Sequence, residues 1–221
     1  DGPALGTVDE FLVWRPAPVD RDSPRFRALV IYQELLAFHR GDADRGAFLH
    51  CDLERIRWAA TVAGGAGKAK RHATAIRGFI AANAAHPLSA DARQDDVVLW
   101  MQRDKLKEAH ASALAGAQAF PDHPFGKVCR GIVTRLEARE LAISTPSSWP
   151  LIGDTVAVSH QNLSHVWFRL YRRDWRPDRD TLADEIELKT DEAVALLKEK
   201  PLRSWDAALH EPRDYRMRST E

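Results

Sequence analysis

The sequence predicts an α+β fold in which an antiparallel helical-repeat module is followed by a partial β-sandwich. Two observations support this prediction. Apolar residues recur at helical spacing from residue 23 to residue 138. Beyond Leu141 the pattern changes to the alternation that is typical of half-buried strands. We therefore expect a helical module over residues 1–138 and a β part with a helical insert over residues 139–221.

Six helices are predicted in the first part, and the first has both of its ends marked. Ser23 precedes Pro24, as an N-cap precedes the first helical position, and Gly41 follows the last apolar residue. Ser89 is expected to cap the fourth helix. Short connections between the helices favour antiparallel neighbours. The six predicted segments are residues 23–41, 42–64, 69–86, 89–101, 105–120 and 125–136.

The fifth segment resembles the second helix of a tetratricopeptide repeat. It runs from Lys105 through small residues to Ala119, and Phe120 and Pro121 close it. Small side chains let neighbouring helices approach closely. Stacked helical pairs of this kind usually hold partners or separate domains, because each pair buries its apolar face against its neighbours.

The β part begins near Leu141 and continues after a segment rich in Ser, Thr and Pro. Strands are predicted at residues 154–160 and 164–174, a helical insert at residues 190–200, and two further strands at residues 202–210 and 214–220. At most five strands are visible, whereas a sandwich usually needs about seven. We therefore expect an incomplete sandwich. Its expected inward-facing residues are Ile143, Val156, Val158 and Phe168.

The charge balance argues against a nucleic-acid partner. Lysine plus arginine and aspartate plus glutamate both number 32, so the chain has no excess positive charge to attract phosphates. No apolar run approaches the roughly 20 residues that a membrane helix needs.

The two cysteines, Cys51 and Cys129, are too few for a disulfide framework and too far apart for a zinc knuckle. Buried free thiols are the favoured interpretation. A mutual disulfide stays open as the alternative, because it depends on a Cα separation that the sequence does not give.

Four short features invite functional interpretations, and a simpler structural interpretation is favoured for each. Residues 64–69 lack the first Gly, the final Ser or Thr and the preceding strand of a phosphate-binding loop, so a helix-to-helix loop is favoured. His39 and His50 lack the spacing of metal ligands. In Arg40-Gly41-Asp42, Gly41 is expected to end one helix and Asp42 to cap the next. Asn162, in a glycosylation-type sequon, is expected to mark a turn.

Catalysis is not indicated. The pairs Ser159-His160 and Ser164-His165 are adjacent in predicted strands, and neighbours along a strand point to opposite faces. The acidic residues 184–187 are most simply a solvated face. We therefore predict a protein that is not an enzyme, with no catalytic, cofactor-binding or metal-binding residue, no cofactor and no small-molecule substrate.

Several longer segments together resemble one family. Residues 28–39 (ALVIYQELLAFH), 120–129 (FPDHPFGKVC), the join at Trp149-Pro150 and residues 156–172 are similar to the helical region and first macroglobulin-type sandwich of large bacterial α-2-macroglobulins. The resemblance implies a parent protein that is periplasmic, secreted or at the cell surface, and that traps proteases by collapsing around them after cleavage of a bait region.

The resemblance confines this chain to a structural or interaction role. Many family members carry a thioester in a Cys-x-Glu-Gln motif, and neither Cys51 nor Cys129 is followed by that pattern. No bait region is identifiable. The implied partners are other domains of the same parent chain and, through the parent, target proteases. The alternative is a free-standing helical-repeat adaptor that mediates protein–protein interaction.

Overall fold

The structure is a computed structural model, and it describes residues 3–16, 23–144, 156–172 and 190–220. The chain divides into two compact units, Asp1–Ala138 and Arg139–Glu221. The first contains helices and the second contains small antiparallel sheets with one helix. The chain is therefore a mixed α+β protein, as its sequence predicts.

Each of the six predicted helices is present in the first unit. A short 3₁₀ turn (Pro3–Leu5) and a six-residue helix, α1 (Val8–Val13), precede them and were not predicted. Thr7 and Glu10 start α1 by bonding to each other's backbone N–H groups, which is a capping box. The other helices are α2 (Pro24–His39), α3 (Gly46–Val62), α4 (Lys68–Ala82), α5 (Leu88–Met101), α6 (Leu106–Ala119) and α7 (Pro124–Glu137).

Two predicted caps are wrong. Ser89 lies inside α5, and its hydroxyl donates back to the Ala84 carbonyl instead of accepting a bond from the helix. Asp42 pairs with the His39 ring, and Asp44 accepts the Gly46 N–H at the start of α3. The residue before the first helical position is Pro87 in α5 and Arg45 in α3.

The main core of the helical unit joins the N-terminal segment to α2, α3, α4 and α5. A second, smaller cluster lies between α5, α6 and α7 and is built from smaller side chains. Helices α6 and α7 approach closely at Gly116: a Cβ added to this residue would lie only 2.7 Å from the Cys129 sulfur. The fully buried side chains of the main core include Phe11, Leu36, Leu53, Ile56 and Ile76.

Within the described residues, five strands of the second unit form two antiparallel sheets. Strands β1 (Glu140–Ser144), β2 (Ala157–Gln161) and β5 (Arg218–Thr220) lie in the order β1-β2-β5. Strands β3 (His165–Leu170) and β4 (Arg203–Ala208) form the other sheet. Helix α8 (Thr190–Leu196) lies between β3 and β4 in the chain and is shorter than the predicted insert.

The inward-facing residues were predicted only in part. Val158 is buried, and Val156 and Phe168 are half-buried. The prediction for Ile143 is wrong, because this residue is exposed. All five residues of β1 are exposed, and β1 is an edge strand of the described sheet. Residues 154–155, Trp149-Pro150 and the acidic residues 184–187 lie outside the described residues.

Candidate functional site

A buried guanidinium on α3 bonds to the N-terminal segment. Arg55, on α3, is 1% exposed and donates to the carbonyls of Ala4 at 2.6 Å and Gly6 at 3.1 Å. The same side chain donates twice to one oxygen of Asp52, at 2.7 and 2.9 Å. Its guanidinium also lies 4.8 Å from the centre of the Phe11 ring.

A largely apolar cleft of about 470 Å³ opens beside this anchor. The N-terminal segment, α3 and α4 form its walls. The α4 wall consists mainly of small residues, whereas Phe48 and Leu49 of α3 present larger apolar side chains. The charged lining residues are Glu10, Arg45, Asp52 and Arg55.

Asp52 is a buried carboxylate within this cleft. Burial raises the pKa of Asp52, and the adjacent Arg55 guanidinium acts in the opposite direction. Arg55 bonds only to Oδ1, and Oδ2 accepts no hydrogen bond from any residue that the structure describes. The sequence predicted no role for this residue, since its partners are brought together only by the fold.

A second polar cluster joins α3 to α5. Arg57 contacts three carboxylates, those of Glu54, Asp91 and Asp95, at 2.8 to 3.1 Å. Burial raises the pKa of Asp95 and lowers the pKa of His72. Because Arg57 binds all three carboxylates, this cluster serves to connect helices.

The serine–histidine pairs do not form dyads in the structure. His160 is buried, whereas the hydroxyl of its neighbour Ser159 donates to Ser219 at 3.5 Å. His165 pairs instead with Asp206 of β4 at 2.6 Å, and its ring lies 4.5 Å from that of Trp167. The His165–Asp206 pair depends on strand register, so sequence spacing could not reveal it.

Both cysteines are free thiols. Cys129 is buried and its thiol donates to the Ala90 carbonyl, while Cys51 is half-buried. Burial raises the pKa of both thiols, which leaves less of the nucleophilic thiolate.

The remaining motifs take structural positions. Residues 64–67 connect α3 to α4, and Gly67 adopts a left-handed conformation before α4. His39 contacts Asp42, His50 is exposed, and Asn162 has positive φ in the turn from β2 to β3. Among the described residues, no three potential ligands cluster as a metal site would need. None of the described helices has the length and apolar character required to cross a bilayer.

The β unit presents apolar side chains that its own sheets leave uncovered. Trp167 is 72% exposed and Leu202 is 67% exposed. An open depression of about 600 Å³ lies beside Trp167. It is lined by Ile143, Trp167, Phe168, Arg169, Tyr171 and Leu197.

Comparison of the chain with family models, curated proteins and solved structures finds no match. The class that the fold defines is a two-unit α+β protein.

Proposed function

We propose that this chain is a non-catalytic structural and interaction module of a protease-trapping protein of the bacterial α-2-macroglobulin type, located in the periplasm, at the cell surface or outside the cell. The observation that carries the proposal is the uncovered apolar surface of the β unit. Its partners would be other domains of the same parent chain.

The exposed surface favours burial against another β domain. Isolated apolar residues are common on protein surfaces, but Ile143, Trp167 and Leu197 line one continuous depression. The free edges of small sheets can also accept further strands. A macroglobulin-type sandwich would supply both a covering sheet and edge strands, and the helical unit would act as a tetratricopeptide-like scaffold.

A second candidate function has its own supporting observation. Ile31, Leu35 and Phe38 lie on one face of α2 at helical spacing, and all three are exposed. A free-standing helical-repeat adaptor would use such a stripe to bind a partner. The two candidates therefore assign the docking surface to different units.

A protease-trapping assay tests the activity that is proposed for the parent protein. The natural gene product, purified whole and incubated with trypsin, should leave trypsin active on a small peptide substrate but shielded from a protein-sized inhibitor. A gene product that produces no shielded complex, or that carries no further sandwich domain, would contradict the proposal.

Hydrogen exchange in the same natural protein distinguishes the two candidates. Trp167→Ser should increase amide exchange in β3 and β4, because it removes an aromatic side chain from the proposed domain contact. Phe38→Ser, which removes an aromatic side chain that is 77% exposed on α2, is the matched control and should leave α2 unchanged. Unchanged exchange in β3 and β4 after Trp167→Ser would contradict the domain contact and would leave the adaptor, whose partner is absent from this sample, as the remaining candidate.

A further inference from the structure

The cleft beside Arg55 has one wall that leaves room for a ligand. Along α4, Thr74, Gly78 and Ala82 follow one another at intervals of four residues, so they share a face. A Cβ added to Gly78 would meet no atom within 4 Å. The space opposite Phe48 therefore belongs to the cleft and is not needed for helix packing.

A polar group of defined chemistry lines this apolar space. Asp52 is 7% exposed, and its Oδ2 accepts no hydrogen bond within the described part of the chain. Oδ2 is not one of the side-chain atoms that are both fully buried and unbonded, so it keeps some contact with solvent and a ligand in the cleft can reach it. An N–H donor that entered the cleft would bond to this oxygen, and a charged donor would form a stronger bond.

The positive side chains in the lining are already engaged. Arg55 is bonded to Asp52 and to two backbone carbonyls. Arg45 lies 4.1 Å from the centre of the Phe48 ring and donates to the Arg40 carbonyl. Asp52 is therefore the lining group best placed to select the charge of a ligand.

We propose that this cleft is a binding site for a small apolar molecule that ends in a protonated amine. The apolar body lies between Phe48 and the α4 wall, and the ammonium group donates to Oδ2 of Asp52. The volume of about 470 Å³ is within the range of small-molecule sites.

Three probes of similar size test the selectivity. The ¹⁵N-labelled chain is titrated separately with 2-phenylethylamine, 2-phenylethanol and 3-phenylpropionate, and the amide shifts of Ala75 and Gly78 are followed. The amine should bind about tenfold more tightly than the alcohol and more tightly still than the acid. Equal binding of the three probes, or no saturable shift at about 10 mM amine, would overturn the proposal.

Substitutions locate the binding. Gly78→Leu should weaken amine binding about tenfold by filling the cleft, whereas Gly131→Leu should bind as wild type, because it adds the same side chain where a Cβ also meets no atom within 4 Å. Asp52→Asn should bind the amine no better than the alcohol. If Asp52→Asn does not fold, the two glycine variants still test whether the amine binds in this cleft. Unchanged amine binding by Gly78→Leu would refute the site.

Discussion

Arg55 illustrates how a buried charge can be compatible with an apolar core. Its guanidinium is removed from water, which is costly, but its bonds to one carboxylate oxygen and two carbonyls compensate it. The Phe11 ring covers it from another side. The side chain therefore joins α3 to the N-terminal segment through directional contacts.

Replacing Arg55 should destabilise the helical unit strongly. In Arg55→Met the buried Asp52 loses its counter-charge, and we expect the free energy of unfolding to fall by about 3–5 kcal/mol. Urea denaturation measures this change. Arg40→Ala is the control, because its pair with Asp9 is exposed and should contribute less than about 1 kcal/mol. Equal losses in the two variants would mean that Arg55 does not act as an anchor.

Asp214 should titrate well below an ordinary aspartate. Two hydrogen bonds from Arg218, at 2.7 and 2.8 Å, lower the pKa of Asp214 to about 2 from 3.8. Because the folded pKa is depressed, the stability that this pair contributes is present above pH 3.8 and is lost as the pH falls through about 2.

Carboxyl NMR titration of Asp214 checks this prediction. The midpoint should lie near 2 in the wild type and move toward 3.8 in Arg218→Ala. A midpoint that does not move would show that Arg218 is not the cause.

At the scale of elements, α7 contains two glycines with opposite packing requirements. A Cβ at Gly126 would overlap the Phe120 carbonyl oxygen, whereas a Cβ at Gly131 would meet no atom within 4 Å. The start of α7 therefore passes the end of α6 at a distance that only glycine allows.

Alanine at these two positions should change stability in opposite directions. Gly126→Ala forces the backbone apart and should cost about 3 kcal/mol. Gly131→Ala should stabilise by about 0.5–1 kcal/mol, since alanine loses less conformational freedom in a helix. Urea denaturation measures both changes as shifts of the unfolding midpoint. The comparison requires that the free energy of unfolding depends on urea concentration with the same slope in each variant. A tolerated Gly126→Ala would contradict the close approach.

The helices were predictable from the sequence, whereas their first turns were less so. Apolar spacing extends over three or four turns and places each long helix. A cap depends on the backbone angles of one residue, so Asp44 could replace Asp42 as the residue that bonds the first turn of α3. Helix α1 is only six residues long, too short for periodicity to indicate it, although Thr7 and Glu10 have capping-box spacing.

At the scale of the whole molecule, contacts between distant segments were not predictable. Alternation indicated the strands, but the pairing that brings His165 to Asp206 depends on register. Ile143 has the right alternation for burial and is exposed, because its burial would depend on a covering layer that the described strands do not provide. The amine cleft likewise combines three segments, which a linear pattern does not connect.

The bonds from Arg55 to Ala4 and Gly6 also connect residues 51 and 49 positions apart. In many small domains a disulfide closes a loop of this length and restricts the unfolded chain. Here the closure consists of hydrogen bonds to a guanidinium, and both cysteines remain thiols. Reducing agents should therefore leave the closed loop intact, whereas Arg55→Met removes the two hydrogen bonds that close it.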